Sequence, residues 1–362
     1  MTEQRFFELI RVAIGTQEGL SRWPSVHEWN ELYNMAEKQS LVGVCFAALQ
    51  RLGTDADEGF ARIGMSEMLY LTWMGMAVKI QLRNEVMNRQ CADLQAKFSA
   101  DRLRSCVLKG QGVGSLYGEL SQLRQSGDID VWVDGGHKHV MNYVNKISPT
   151  KEVRWLHTQL HVFENTEVEV HFMPTYLKCP QSDKALQTFF DTEKEECFKN
   201  GVASQRLNEV FILAHAYRHL TNEGVGLRQL MDYFYVLLNR RSADTKLTHE
   251  EFVSLMKKTG MMRFAQGVMW MMQSVFGLPE EYLLCDPSEK DGRFLLDEVM
   301  LAGNFGHHDE RTKHDANESV LHRFWRLNTY SFRVFSYAYK EVLWAPLWRL
   351  KHWIWRKRNG YK

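Results

Sequence analysis

No CxxC pair occurs anywhere in the chain, and its six cysteines (Cys45, Cys91, Cys106, Cys179, Cys197 and Cys285) lie far apart. That scatter excludes a disulfide framework and a zinc ribbon, and implies reduced thiols in a cytosol. The first residues, MTEQRFFELIRVAIG, lack a basic segment leading into an apolar one, so no secretory signal is read there. No window approaches the roughly 18 uninterrupted apolar residues that a membrane-crossing helix requires. Prolines number only 7 of 362 residues, while 44% are hydrophobic and 25% charged, which excludes a disordered chain and favours helices. Acidic residues are scarce at one end. From Ser319 to Lys362 the single acid Glu341 faces ten Lys/Arg, a net charge of +9, so the remainder of a chain of net +1 carries −8. A basic appendage therefore sits on an acidic body.

What is present falls into four stretches. Residues 1–100 read as a helical region, because WNELYNMAEKQSLVGVCFAALQRL and MAVKIQLRNEVMNRQCADLQAKF place apolar residues at helical spacing. Loop signals stand at Gly53-Thr54-Asp55 and near Asp101. Residues 101–195 change character: SCVLKG, DIDVWV, LHVF and VEVHF read as short strands, with HVFE and EVEVHF as a hairpin closed over Asn165-Thr166. Residues 196–302 return to helices, and 303–362 read as a polar linker followed by the basic aromatic tail. The expected fold class is α+β, a small mixed sheet flanked by N-terminal and C-terminal helical regions.

Chemistry is sought on the sheet. In strand DIDVWV, Asp128 and Asp130 share one face while Ile129 and Val131 point into the core. Two carboxylates about 6–7 Å apart on one strand face repel each other. A divalent cation between them relieves that repulsion, and hard oxygen donors suit Mg²⁺, with Mn²⁺ as a substitute. The plain alternative is a strand edge whose aspartates meet water. Upstream, KGQGVGS is a glycine-rich turn in which backbone N–H groups can approach an anion before a helix start. It lacks the GxxxxGK[ST] spacing of a P-loop, which excludes that class. Downstream, in 167–172, Glu167, Glu169 and His171 share a face, and a third carboxylate there would complete a metal cluster; otherwise it is the wet face of a hairpin strand.

Together, LKGQG…LY…R…GDIDVWV, then EVEVHF-x-P, then AHAYRHL…GVGLRQLMDYFYVLL resemble the bacterial family called uncharacterised nucleotidyltransferases, within the superfamily built on a DNA-polymerase-β-like palm. The resemblance covers most of residues 20–240. It implies a palm at 101–195, Asp128 and Asp130 as metal ligands, and Glu169 as third carboxylate and acceptor of the hydroxyl proton. It also implies Lys109, Gly110 and Gln111 as the phosphate loop and Arg124 as a triphosphate contact. The loop register stays open between Lys109-Gly110, which follows the apolar strand directly, and Gly114-Ser115, whose gap to Asp128 is closer to the superfamily's. In the second case Ser115 touches phosphate. Tyr117-Gly118 departs from the Tyr-Pro often found after the loop helix.

The implied activity is metal-assisted transfer of NMP from an NTP, ATP first, to an unidentified hydroxyl of a small molecule or protein, with pyrophosphate released. The competing class is a non-catalytic nucleotide- or partner-binding protein on the same fold. His215 and His219, at i and i+4, read as packed helix histidines or, with His171, Arg218 and Arg228, as the lining of an acceptor cleft. Arg228 and Asp232 read by default as a helix-surface ion pair. His157 reads as a plain strand histidine. The tail mixes Trp and Arg at helical spacing, which suits docking on the acidic body or contact with an anionic membrane surface; nucleic acid is the least favoured partner. A cytoplasmic protein is expected, peripheral at the inner face of the membrane if the tail binds lipid.

Overall fold

The computed structural model describes residues 2–53, 59–309, 311 and 318–361. The loop read at Gly53-Thr54-Asp55 and the polar stretch 303–319 fall partly outside them.

Four strands form one mixed sheet: β1 (Ser105–Val107), β2 (Ile129–Val133), β3 (His157–Gln159) and β4 (Val168–His171), in the order β1-β2-β4-β3. β2 runs parallel to β4, and the outer pairs β1/β2 and β3/β4 are antiparallel. A parallel pair needs a crossover, here the helix Gly136–Ile147 followed by β3. One sheet face is apolar as its period of two dictates. Val107, Ile129, Val131, Val133, Val168 and Val170 pack on Val140, Met141 and Val144 of that helix. Burying each such valine is worth roughly 1.5–3 kcal/mol. The opposite face carries Cys106, Leu108 and Trp132 toward the helical core, with Trp132 4.6 Å from Phe198.

The hairpin exists but not as its sequence implied. β3 lies at 157–159 rather than on LHVF, and residues 160–167 form the connection in place of a two-residue Asn-Thr turn. Asn-Thr lacks the glycine that a two-residue turn favours, so the ladder closes further back.

The 34-residue helix Glu67–Ala100 ties sheet to helices. Its first half buries Leu69, Trp73, Ala77 and Ile80 among the N-terminal helices, and its second half buries Met87, Cys91, Leu94 and Phe98 beneath the sheet. Ser66 starts it by accepting from the Leu69 amide. N-terminal and C-terminal helices share one continuous core. Fully buried Gln39 stitches them, accepting from the Leu227 amide at 2.8 Å and donating to the Val299 carbonyl at 3.0 Å.

The tail folds back onto the body as helices Val320–Phe332 and Phe335–Arg358. Its one acid, Glu341, is buried and accepts from the backbone amides of Lys178 at 2.7 Å and Cys179 at 3.1 Å. All six cysteines are free and buried.

A carboxylate cluster as candidate active site

The parallel register of β2 and β4 places Asp130 beside Glu169, and Asp128 stands one residue before β2 at the same end. Ligand oxygens of Asp128, Asp130 and Glu169 all lie within 4.8 Å of one another. Such crowding requires countercharge, and two cations supply it. Lys109 Nζ lies 2.7 Å from Asp130 Oδ2 and 3.9 Å from Asp128 Oδ2. His171 Nε2 lies 2.8 Å from Asp130 Oδ1 and 3.4 Å from Glu169 Oε2. Among the described residues Lys109 is the one cation on Asp130 Oδ2, which leaves that oxygen's remaining lone pair open. An oxygen in that condition, beside two further carboxylates, fits a hard divalent cation.

The titration behaviour follows from these contacts. The neighbouring Asp130 charge pushes the Asp128 carboxyl up, against the pull of Lys109. Burial pushes Asp130 up, but Lys109 and His171 outweigh it and leave its carboxyl lowered. Burial acts on Glu169 in the same sense, and the close imidazoles of His157 and His171 reverse it to far below the carboxylate range. His171 loses solvation yet is raised, because Asp130 and Glu169 stabilise its cation.

His171 was expected in an open cleft. It is fully buried behind the carboxylates instead, because β4 directs it to the same inner face as Glu169. β3 brings His157 opposite His171, with Nδ1 2.9 Å from Glu169 Oε2. A reading of His157 as a plain strand histidine missed this contact, since only the hairpin register reveals it.

Upstream, β1 ends with the Leu108 amide donating to the Asp130 carbonyl at 2.9 Å, which fixes Lys109-Gly110 against the cluster. Gly110 has φ of 65° and ψ of −113°, a conformation costly for any residue with Cβ. The helix expected after it is only Gln111–Gly114, followed by a 3₁₀ segment Ser115–Leu123 that breaks at Gly118 (φ 56°). No long helix therefore follows this loop directly. Gln111 donates to Asn88 Oδ1 at 2.7 Å, and with Ser115 it lines a separate groove beside Ser121 and Gln122. Lys109 and Gly110 therefore face the carboxylates, whereas Gln111 and Ser115 do not.

Lys109, Asp128, Asp130, His215, Arg228 and Phe305 line one cavity. Arg124 borders it, but its guanidinium is committed: Nε and Nη2 donate to Asp232 at 2.7 Å each, and Tyr117 Oη adds a third bond to Asp232 at 2.6 Å. The expected surface pair Arg228–Asp232 is thus absent. Helix Leu227–Asn239 is buried on nearly every side, so Asp232 is satisfied from within. Arg228, also buried, donates Nη1 to the Gln125 carbonyl at 3.0 Å, leaves Nε without a partner among the described residues, and lies 5.3 Å from the Phe305 ring.

His215 and His219 stack along helix Gln205–Asn222 as a directed chain. Glu223, an acceptor, bonds His219 Nδ1, so that nitrogen carries hydrogen. His219 Nε2 then accepts from His215 Nε2 at 2.7 Å, which leaves His215 Nδ1 with a bare lone pair, buried and without a partner among the described residues. Burial holds both imidazoles below their ordinary value and hence neutral. Arg218 does not reach the cavity lining; it lies 5.6 Å from the Tyr176 ring, near the tail.

Phe305 escaped sequence reasoning because it sits in the stretch read as linker. Its signal was an aromatic between two glycines, Gly303-Asn304-Phe305-Gly306. A Cβ on Gly306 would come within 1.8 Å of the Glu223 carbonyl oxygen, so backbone packs directly on backbone and holds Phe305 (φ 53°) over the cavity.

No curated protein and no solved structure matches the chain. A family model described as uncharacterised nucleotidyltransferase matches residues 25–277, more than half of the chain, and the chain belongs to that family.

Proposed function

We propose that the protein transfers NMP from an NTP, with ATP the first choice, to a hydroxyl acceptor and releases pyrophosphate. The observation that carries this reading is the close set of Asp128, Asp130 and Glu169 oxygens beside Lys109, in a chain of this family. A divalent cation held by the three carboxylates, Mg²⁺ or Mn²⁺, supplies neutralisation of phosphate charge when bound. The chain's own residues do the rest. Lys109 and Arg228 face the triphosphate, and Arg124 fixes the floor beneath Arg228 through Asp232. The acceptor oxygen forms a bond to the α-phosphorus as the bond to the pyrophosphate oxygen breaks. His215 Nδ1 takes the acceptor proton, and the His219–Glu223 chain steadies the resulting imidazolium. Glu169, with Oε2 2.9 Å from His157 Nδ1 and 3.4 Å from His171 Nε2, is held in place among the carboxylates and serves as ligand. Phe305 offers a ring face to the base.

One observation favours a second reading. Lys109 and His171 already offset two of the three carboxylate charges, as in a protein that binds nucleotide without turning it over. Calorimetric titration of ATP with and without Mg²⁺ tests the first reading. Wild type should bind more tightly with Mg²⁺, and Asp130→Asn should lose that gain. ATP affinity independent of Mg²⁺ would contradict a metal site and favour the second reading.

A further inference from the structure

The last helix, Phe335–Arg358, has two apolar faces where docking requires one. Its inner face buries Tyr337, Ala338, Val342 and Ala345 on the body. Its outer face repeats Tyr339, Leu343, Leu347, Leu350 and Ile354 at steps of three or four residues, which is one stripe of a helix. These five are 53, 57, 60, 49 and 36% exposed. Trp344 and Trp353, 40 and 50% exposed, flank the stripe on its two sides. Lys340, Lys351 and Arg358 follow one border and Lys357 extends its end. The only acid in the segment, Glu341, is turned inward onto the Lys178 and Cys179 amides, so the helix itself adds no acid to this outer face; Lys351 also lies 5.1 Å from the Trp155 ring of the body.

We propose that this face docks in the plane of an anionic phospholipid surface, with the leucines among the acyl chains, the tryptophans at the headgroups and the lysines on lipid phosphates. Among the described residues no helix is long and apolar enough to cross a membrane, which leaves an in-plane position. Charge disfavours a tail-to-tail pair of two copies, because two tails of net +9 bring like charges together. The inference stands apart from the carboxylate site.

Full-length protein is sedimented with vesicles of phosphatidylcholine alone or with roughly 30% phosphatidylserine. The expected result is at least about tenfold more protein pelleting with the anionic vesicles, reduced severalfold in about 0.5 M salt. Leu343→Glu with Leu347→Glu should abolish pelleting, and Lys357→Glu with Arg358→Glu should weaken it severalfold, both at unchanged circular dichroism and melting temperature. If the leucine variant does not fold, the Lys357/Arg358 variant decides. Equal pelleting with neutral vesicles, no pelleting at all, or a wild-type dimer in light scattering that replaces vesicle binding would each overturn the proposal.

Discussion

Neighbouring carboxylates in this protein carry opposite stability signatures, and substitution separates them. Asp232 is buried and holds Arg124 by two bonds, so Asp232→Asn leaves an uncompensated guanidinium and should cost about 3–5 kcal/mol. Asp128 is instead pushed up by Asp130, and Asp128→Asn relieves repulsion; its stability should stay within about 1 kcal/mol of wild type. Urea unfolding of the two variants measures both. Comparable losses would mean that Asp128 is a structural residue. The histidine chain predicts a pH effect of definite sign. His215 and His219 have folded values below 6.5, so on acidification the unfolded chain takes up protons there before the folded chain does. Stability therefore rises with pH through the window below about 6.5 and falls as pH drops through it. Unfolding midpoints at about pH 7 and pH 5.5 should differ, and a His215→Asn/His219→Gln variant should show a smaller difference. A fall of the same size in that variant would place the effect elsewhere.

At the scale of elements, the sequence announced periodicity well and pairing poorly. Alternation in DIDVWV and VEVHF was enough to assign faces to Asp130, Glu169 and His171, because a period of two leaves no other choice. The position of β3 was not legible: register depends on which hairpin connection closes, and the weak Asn-Thr turn did not decide it. His157 was lost with it. The Arg124–Asp232 pair joins residues 108 positions apart, which no local spacing reveals. Phe305 reaches the cavity through the contact of Gly306 with the Glu223 backbone, and it lies beyond the residues matched by the family. That contact yields a further prediction. Gly306→Ala adds a Cβ where 1.8 Å is available, at a φ of 68°. It should displace the strap, lower the melting temperature by several degrees and weaken ATP binding along with Phe305→Ala, each by about 1 kcal/mol or more. Unchanged ATP affinity in both variants would remove Phe305 from the site.

At the scale of the molecule, one helical core gathers both ends of the chain around a small sheet, and the tail completes it rather than trailing from it. Glu341 fastens the tail to the Lys178-Cys179 turn, and Tyr337, Ala338 and Val342 enter the same core as the N-terminal helices. The charge asymmetry visible in the sequence thus has two outlets, an inward one through Glu341 and an outward one through the lysine-bordered stripe. The acidic remainder of the chain includes the three gathered carboxylates, on which NMP transfer depends. The most direct test of that transfer is incubation of the full-length protein with α-labelled and, separately, γ-labelled ATP, Mg²⁺ and a metabolite and protein extract. The expected result is pyrophosphate release and an acceptor that carries the α label and not the γ label, both abolished in Asp130→Asn. An acceptor labelled from the γ position and not from the α position, or turnover that survives Asp130→Asn, would contradict NMP transfer at this site.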